Sequence, residues 1–184
     1  MAIESKTWIT SDIHFYHHNI LKYCADSRPY SDATEMNEVI VSQWNAIISP
    51  IDRVYILGDV AFADAQRSAC IVNRCFGEKI LITGNHDTKN LKDYTYRSCF
   101  AQIHNYLTVN HKGTFIVMFH YPIWEWDQMH QGSVHFHGHL HGRPHGIQGR
   151  IMDVGMDLNG CTPFLLDDVV KQALQQPIRQ HYAR

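Results

Sequence analysis

Apolar residues fall along this chain in short runs, and each run ends in a cluster of polar side chains. Thr7-Trp8-Ile9-Thr10 ends at Ser11-Asp12-Ile13-His14, and Arg53-Val54-Tyr55-Ile56-Leu57 ends at Gly58-Asp59. Lys79-Ile80-Leu81-Ile82-Thr83 ends at Gly84-Asn85-His86-Asp87. Short unbroken runs of this kind predict strands buried on both faces. Met36, Val39, Ile40, Trp44, Ile47 and Ile48 keep a three-four spacing, which predicts an amphipathic helix over residues 32–48. Asp32 is placed to cap it, Glu35 follows three residues later, and Pro50 lies just past the end. A second helix is expected over 65–76, closed by Gly77. Strand, helix, strand, helix, strand in that order implies a parallel sheet with crossover helices, whose ligands bind beyond the carboxyl ends of the strands.

The second half continues in shorter pieces. Residues 89–99 read as a loop or short helix. Strands are expected over 103–109 and 114–119, around the hairpin signal Asn110-His111-Lys112-Gly113. The latter strand ends at His120-Tyr121-Pro122. Trp124-Glu125-Trp126 is an aromatic loop that would line a substrate entrance or, the reading favoured, pack at the surface. A strand over 133–136 leads into His137-Gly138-His139-Leu140-His141-Gly142. A strand over 151–158 follows, in which Asp153 and Asp157 read as structural rather than catalytic. A helix over 168–175 and a frayed tail from Pro177 close the chain.

At 184 residues the chain is expected to be one domain, residues 1–184, large enough for a core without staples. A net charge of −2 at pH 7 does not indicate an extended nucleic-acid footprint. Five cysteines without a CxxC pair, and no leader-like apolar run near Met1, point to free thiols in the cytoplasm. No stretch approaches the roughly 20 apolar residues of a membrane span. The count that changes the picture is 14 histidines, since imidazole is the commonest metal ligand.

Seven of the polar groups at run ends are potential metal ligands: Asp12, His14, Asp59, Asn85, His120, His139 and His141. Asp12/His14 and His139/His141 are each two residues apart, which puts both side chains of a pair on one side of an extended segment. Seven groups, with one carboxylate able to bridge, suit two divalent ions rather than one. Mixed nitrogen and oxygen ligation without thiolate fits manganese foremost, or iron, zinc, nickel or cobalt. Two ions about 3.5–4 Å apart clamp a phosphoryl group and ionise a water between them. His86, beside Asn85, is placed as general acid for the departing alkoxide, with Asp87 holding its ring. Arg28 would fork onto a phosphate or be a solvated loop residue.

In order and residue type, Asp12-Ile13-His14, Gly58-Asp59, Gly84-Asn85-His86-Asp87, His120 and Gly138-His139-Leu140-His141 resemble the motif set of the calcineurin-like metallophosphoesterases. The resemblance implies a four-layer α/β/β/α sandwich. It implies that Asp12, His14, Asp59 and His141 hold one ion, and Asp59, Asn85, His120 and His139 the other, with Asp59 bridging. It supports His86 as proton donor. The stretch from Asp12 to Ile20, with Arg28-Pro29-Tyr30, resembles a subgroup of small bacterial and phage phosphoesterases, and implies that His17 and Arg28 face the substrate. Without a cap domain the site should be shallow and open. The expected activity is hydrolysis of phosphodiesters or phosphomonoesters. A nuclease or cyclic-nucleotide phosphodiesterase is the narrower alternative, with a nucleotide gripped by His17, Arg28 and the Trp124–Trp126 loop. A non-catalytic scaffold that binds a protein partner is the remaining one.

Overall fold

A computed structural model of the chain describes residues 4–180. Two sheets face each other. The first has the order β4-β3-β2-β1-β9, from Gln102–His104 (β4), Glu78–Ile82 (β3), Arg53–Ile56 (β2), Thr7–Thr10 (β1) and Phe164–Leu165 (β9). β1 to β4 are parallel and β9 pairs antiparallel to β1. The second has the order β5-β6-β7-β8, from Leu107–His111, Thr114–Met118, Val134–His137 and Ile151–Asp153. Here β5 and β6 form the expected hairpin, with Lys112 and Gly113 both at positive φ in its turn. β6, β7 and β8 are parallel.

Alternate residues of the central strands enter different cores, which is why the runs read as continuously apolar. Trp8, Val54, Ile56 and Leu81 face the helices, against Met36, Ile40 and Trp44 of α2 (Ala33–Ile47) and Ile71 and Val72 of α3 (Ala65–Val72). Ile9, Tyr55, Leu57, Ile80 and Ile82 face inward, against Ile116, Met118, Val134 and Phe136 of the second sheet. α2 begins where Asp32 caps it, its carboxylate accepting from the N–H groups of Thr34 and Glu35.

The differences from expectation have local causes. Residues 103–109 are not one strand: β4 closes the first sheet, and the chain crosses at Asn105-Tyr106 to open the second. α3 stops at Val72, after which the N–H groups of Arg74 and Cys75 bond the carbonyls only three residues back, Ile71 and Val72, in tight turns that lead to Gly77 at positive φ. Residues 151–158 form only the three-residue β8, then turn at Gly155 into a 3₁₀ segment, Met156–Leu158. The outer face of the second sheet is not covered by a helix layer among the described residues. Val117 and Ile151 pack there on Trp126 and Met129 of the 119–133 segment. The last helix, Leu166–Leu174, instead contributes Leu166, Val169 and Ala173 to the core between the sheets.

The tail is docked as far as it is described. The Arg179 guanidinium lies 4.1 Å over the Trp124 ring and donates to the Trp124 carbonyl at 2.7 Å, while His130 Nδ1 donates to the Arg179 carbonyl. Residues 181–184, the rest of the expected frayed tail, lie outside the described residues. No helix of the described residues is long and apolar enough to cross a membrane.

Candidate metal centre

The parallel strands of both sheets deliver their polar clusters to one rim. β1 ends at Asp12, β2 at Asp59, β3 at Asn85 and His86, β6 at His120, and β7 at His139 and His141. Two groups of donor atoms meet there: Asp12, His14 and His141 in one, Asp12, Asp59 and His120 in the other. Asp59 reaches both: its Oδ2 is 4.0 Å from His14 Nε2 and its Oδ1 is 3.7 Å from His120 Nε2. Donors sharing one ion at about 2.1 Å each stand roughly 3 to 4 Å apart, so these spacings suit shared cations.

The donor set fits cations in its hydrogen bonding as well. Asp12 Oδ1 and His14 Nε2 are buried, 3.6 Å apart, and have no hydrogen-bond partner. Buried polar atoms are normally satisfied, so this pair asks for an ion. His120 gives its Nδ1–H to the Leu57 carbonyl at 2.6 Å, which leaves Nε2 as a bare acceptor 2.9 Å from Asn85 Oδ1. Two acceptors face to face are resolved by a shared cation or a turned amide. Burial opposes charge on Asp12, yet the imidazoles of His14, His141 and His120 hold its carboxyl down to about 2. His139 donates its backbone N–H to Asp12 Oδ2 at 2.8 Å, and its ring stands 5.2 Å from that of His120.

Five of the seven candidate ligands sit on left-handed backbone. Asp12, His14, Asp59, His139 and His141 all have φ between 52° and 70°. Non-glycine residues adopt this region at a cost of about 1–2 kcal/mol each, and such strain gathers at functional sites. Close backbone approach does the rest. A Cβ on Gly84 would run into Asp59 Oδ1 and come 2.6 Å from Asp59 N, and one on Gly58 would come 2.5 Å from Gly84 Cα. Gly84→Ala is therefore expected to push Asp59 off its position. It should cost about 1–3 kcal/mol of stability, seen as roughly 2–4 °C of Tm per kcal/mol, together with weaker metal retention. An unchanged Tm and metal content would mean the Asp59 turn yields freely.

Two expected roles change, and one choice between readings is settled. Asp87 does not hold the His86 ring. Its buried carboxylate accepts the backbone N–H groups of Asp59, Val60 and Gly84 at 2.8–3.0 Å, tying the second and third polar clusters together. Arg28 does not face substrate. It is 1% exposed, its guanidinium bonded to both Asp157 oxygens and to the carbonyls of Asp12 and Ile13. The Trp124–Trp126 loop packs at the surface, the reading favoured for it, and not around a substrate entrance: Trp126 is core and Trp124 is under Arg179.

His86 and His17 do stand at the cleft. It has a volume of about 480 Å³, and Tyr23 and Arg143 also border it. The His86 side chain is 48% exposed, with Nε2 3.8 Å from Asp59 Oδ2. His17 Nδ1 meets His14 Nδ1 at 3.1 Å. Burial and the neighbouring imidazoles of His14 and His86 hold His17 down to about 4, so it is neutral at pH 7. Phe62, which no sequence signal marks, stacks on His17 at 3.8 Å and stands 4.5 Å from the His86 ring.

Two facing sheets that gather an Asp/His/Asn cluster in this motif order keep the arrangement that the resemblance to the calcineurin-like metallophosphoesterases implies. The chain belongs to one family with "Uncharacterized protein MJ1445" of Methanocaldococcus jannaschii, to which it is 30% identical over 174 residues, 90% of each chain. It is also similar to "Gene 66 protein" of Mycobacterium phage L5, 26% identical over 188 residues, covering 85% of this chain and 88% of that one. Among solved structures, a protein of unknown function from Aquifex aeolicus, AQ665, superposes with a TM-score of 0.71 at 26% identity. It covers 92% of this chain and all of its own. No family model matches the chain.

Proposed function

We propose that the protein hydrolyses phosphoesters with two divalent cations, manganese foremost. Asp12, His14, Asp59, Asn85, His120, His139 and His141 hold them. The observation that carries this reading is the buried, unpartnered pair Asp12 Oδ1 and His14 Nε2, with Asp59 and His141 donors on either side. When bound, such ions polarise the phosphoryl group and supply a nucleophile at neutral pH. The chain's own residues do the rest. Asp59 presents one oxygen to each half of the cluster. His86, at the lip, gives its proton to the leaving oxygen. His17, neutral and packed on Phe62, fixes the His14 ring through the Nδ1 contact. The half-exposed His86 and the open cleft leave room for a second substituent on phosphorus, so diesters and monoesters are both within reach.

The test is hydrolysis of an aryl phosphodiester and an aryl phosphomonoester by chelator-stripped protein, before and after Mn²⁺ is restored. Turnover is expected only with the metal. Protein shown to hold two Mn²⁺ ions that turns over neither ester would overturn the proposal, and would favour a scaffold that binds partners.

A further inference from the structure

His14, His120 and His141, the histidines of the two donor groups, each have Nδ1 engaged differently. His120 Nδ1 meets a backbone carbonyl, and His14 Nδ1 meets the His17 ring. His141 Nδ1 meets a carboxylate, Asp157 Oδ2, at 2.7 Å. Asp157 lies far along the chain and is itself held on every side. Its Oδ1 accepts from Ser27 Oγ at 2.6 Å and Arg28 Nε at 2.8 Å, and its Oδ2 accepts from Arg28 Nη2 at 3.0 Å. The side chains of Arg28 and Asp157 are 0% and 3% exposed. The same guanidinium holds the carbonyls of Asp12 and Ile13. One buried ion pair thus fixes both the turn that carries Asp12 and the ring of His141.

We infer that Asp157, braced by Arg28 and Ser27, is the positioning residue that sets the tautomer of His141, and with it the affinity of one of the two cation sites. The inference rests on the metal reading above. An ionised carboxylate only accepts hydrogen bonds, so His141 must carry its proton on Nδ1. Nε2 is then bare and 3.9 Å from Asp12 Oδ1. A carboxylate behind a ligating imidazole also makes the ring a stronger donor, an effect typically worth 10–100-fold in metal affinity. The isosteric Asp157→Asn cannot reproduce this. Each Asp157 oxygen touches an Arg28 donor, so the amide NH₂ meets an N–H wherever it points. Turned toward His141, it donates to Nδ1 and drives the proton to Nε2, where it blocks ligation.

The test has two arms. In the first, Mn²⁺ binding is titrated by equilibrium dialysis on the full chain, with folding followed by thermal melting. Wild type is expected to bind two ions. Asp157→Asn should lose about 10–100-fold in affinity at one site and keep the other. Ser27→Ala, which removes one brace and leaves Arg28 in place, should show a loss below about tenfold at the same site. In the second arm, long-range ¹H–¹⁵N spectra of metal-free protein report the His141 tautomer, assigned by its absence in His141→Gln. Nδ1–H is expected in wild type, and a shift toward Nε2–H in Asp157→Asn. Two wild-type ions with unchanged affinities in both folded variants would overturn the inference and leave the metal reading standing. Fewer than two ions in wild type would overturn both. A wild-type His141 protonated on Nε2 overturns the inference by itself, whatever the metal content. A purely structural ion pair would lower the melting temperature without separating the two sites or moving the tautomer.

Discussion

Asp59→Asn is expected to lower kcat/KM by about three orders of magnitude and to leave the protein with at most one firmly held ion. Asp59 is buried and directs one oxygen toward His14 and the other toward His120. The amide keeps the shape but replaces one oxygen with a donor that cannot ligate. It also removes a negative charge from a low-dielectric pocket. Loss of one ion of a pair forfeits several kcal/mol of transition-state charge stabilisation, and each 1.36 kcal/mol is a factor of ten. The Asp59 Oδ1 bond to the His86 N–H, 3.0 Å long, also weakens if the amide turns. Metal analysis beside steady-state kinetics on an aryl diester measures both effects. A variant with two ions and near-normal rates would remove Asp59 from the bridging position.

His86→Gln should behave differently. The ring is half exposed, at the lip of the cleft, and belongs to neither donor group, so both ions should remain. General acid catalysis contributes about 10²–10⁴-fold, and that much rate is expected to be lost on esters with alkoxide leaving groups. Nitrophenolate departs without help, so activated aryl esters should be slowed far less. The measurement is the dependence of kcat/KM on leaving-group pKa in both proteins, with metal content as control. A uniform loss across the series would assign His86 to substrate positioning and leave the proton donor elsewhere.

The parts of this molecule that were legible in the sequence were those with a local signature. β1, α2, β2 and β3 announce themselves by period and by caps such as Asp32. The polar clusters at their ends are legible because a parallel sheet delivers all its carboxyl ends to one rim. What was hidden depends on partners far along the chain. Residues 103–109 look like one strand, since apolar alternation does not register a change of sheet at Asn105-Tyr106. Arg28 looks like a phosphate ligand until Asp157, 129 positions away, is seen to occupy it. Asp157 in turn reads as a strand residue, and only the turn at Gly155 swings it beneath His141. Asp87 lies beside His86 in sequence, yet the bare N–H groups of the neighbouring turns claim it first.

The left-handed backbone at residues 12, 14, 59, 139 and 141 makes those positions a record of use. Glycine would relieve the conformation outright, so an aspartate or histidine kept at all five carries a cost of about 1–2 kcal/mol each. A related chain that has abandoned catalysis would have no reason to keep aspartate or histidine at these five places, and should drift toward glycine or asparagine. Reading those five letters in any relative is therefore a quick indication of whether its chemistry has been kept.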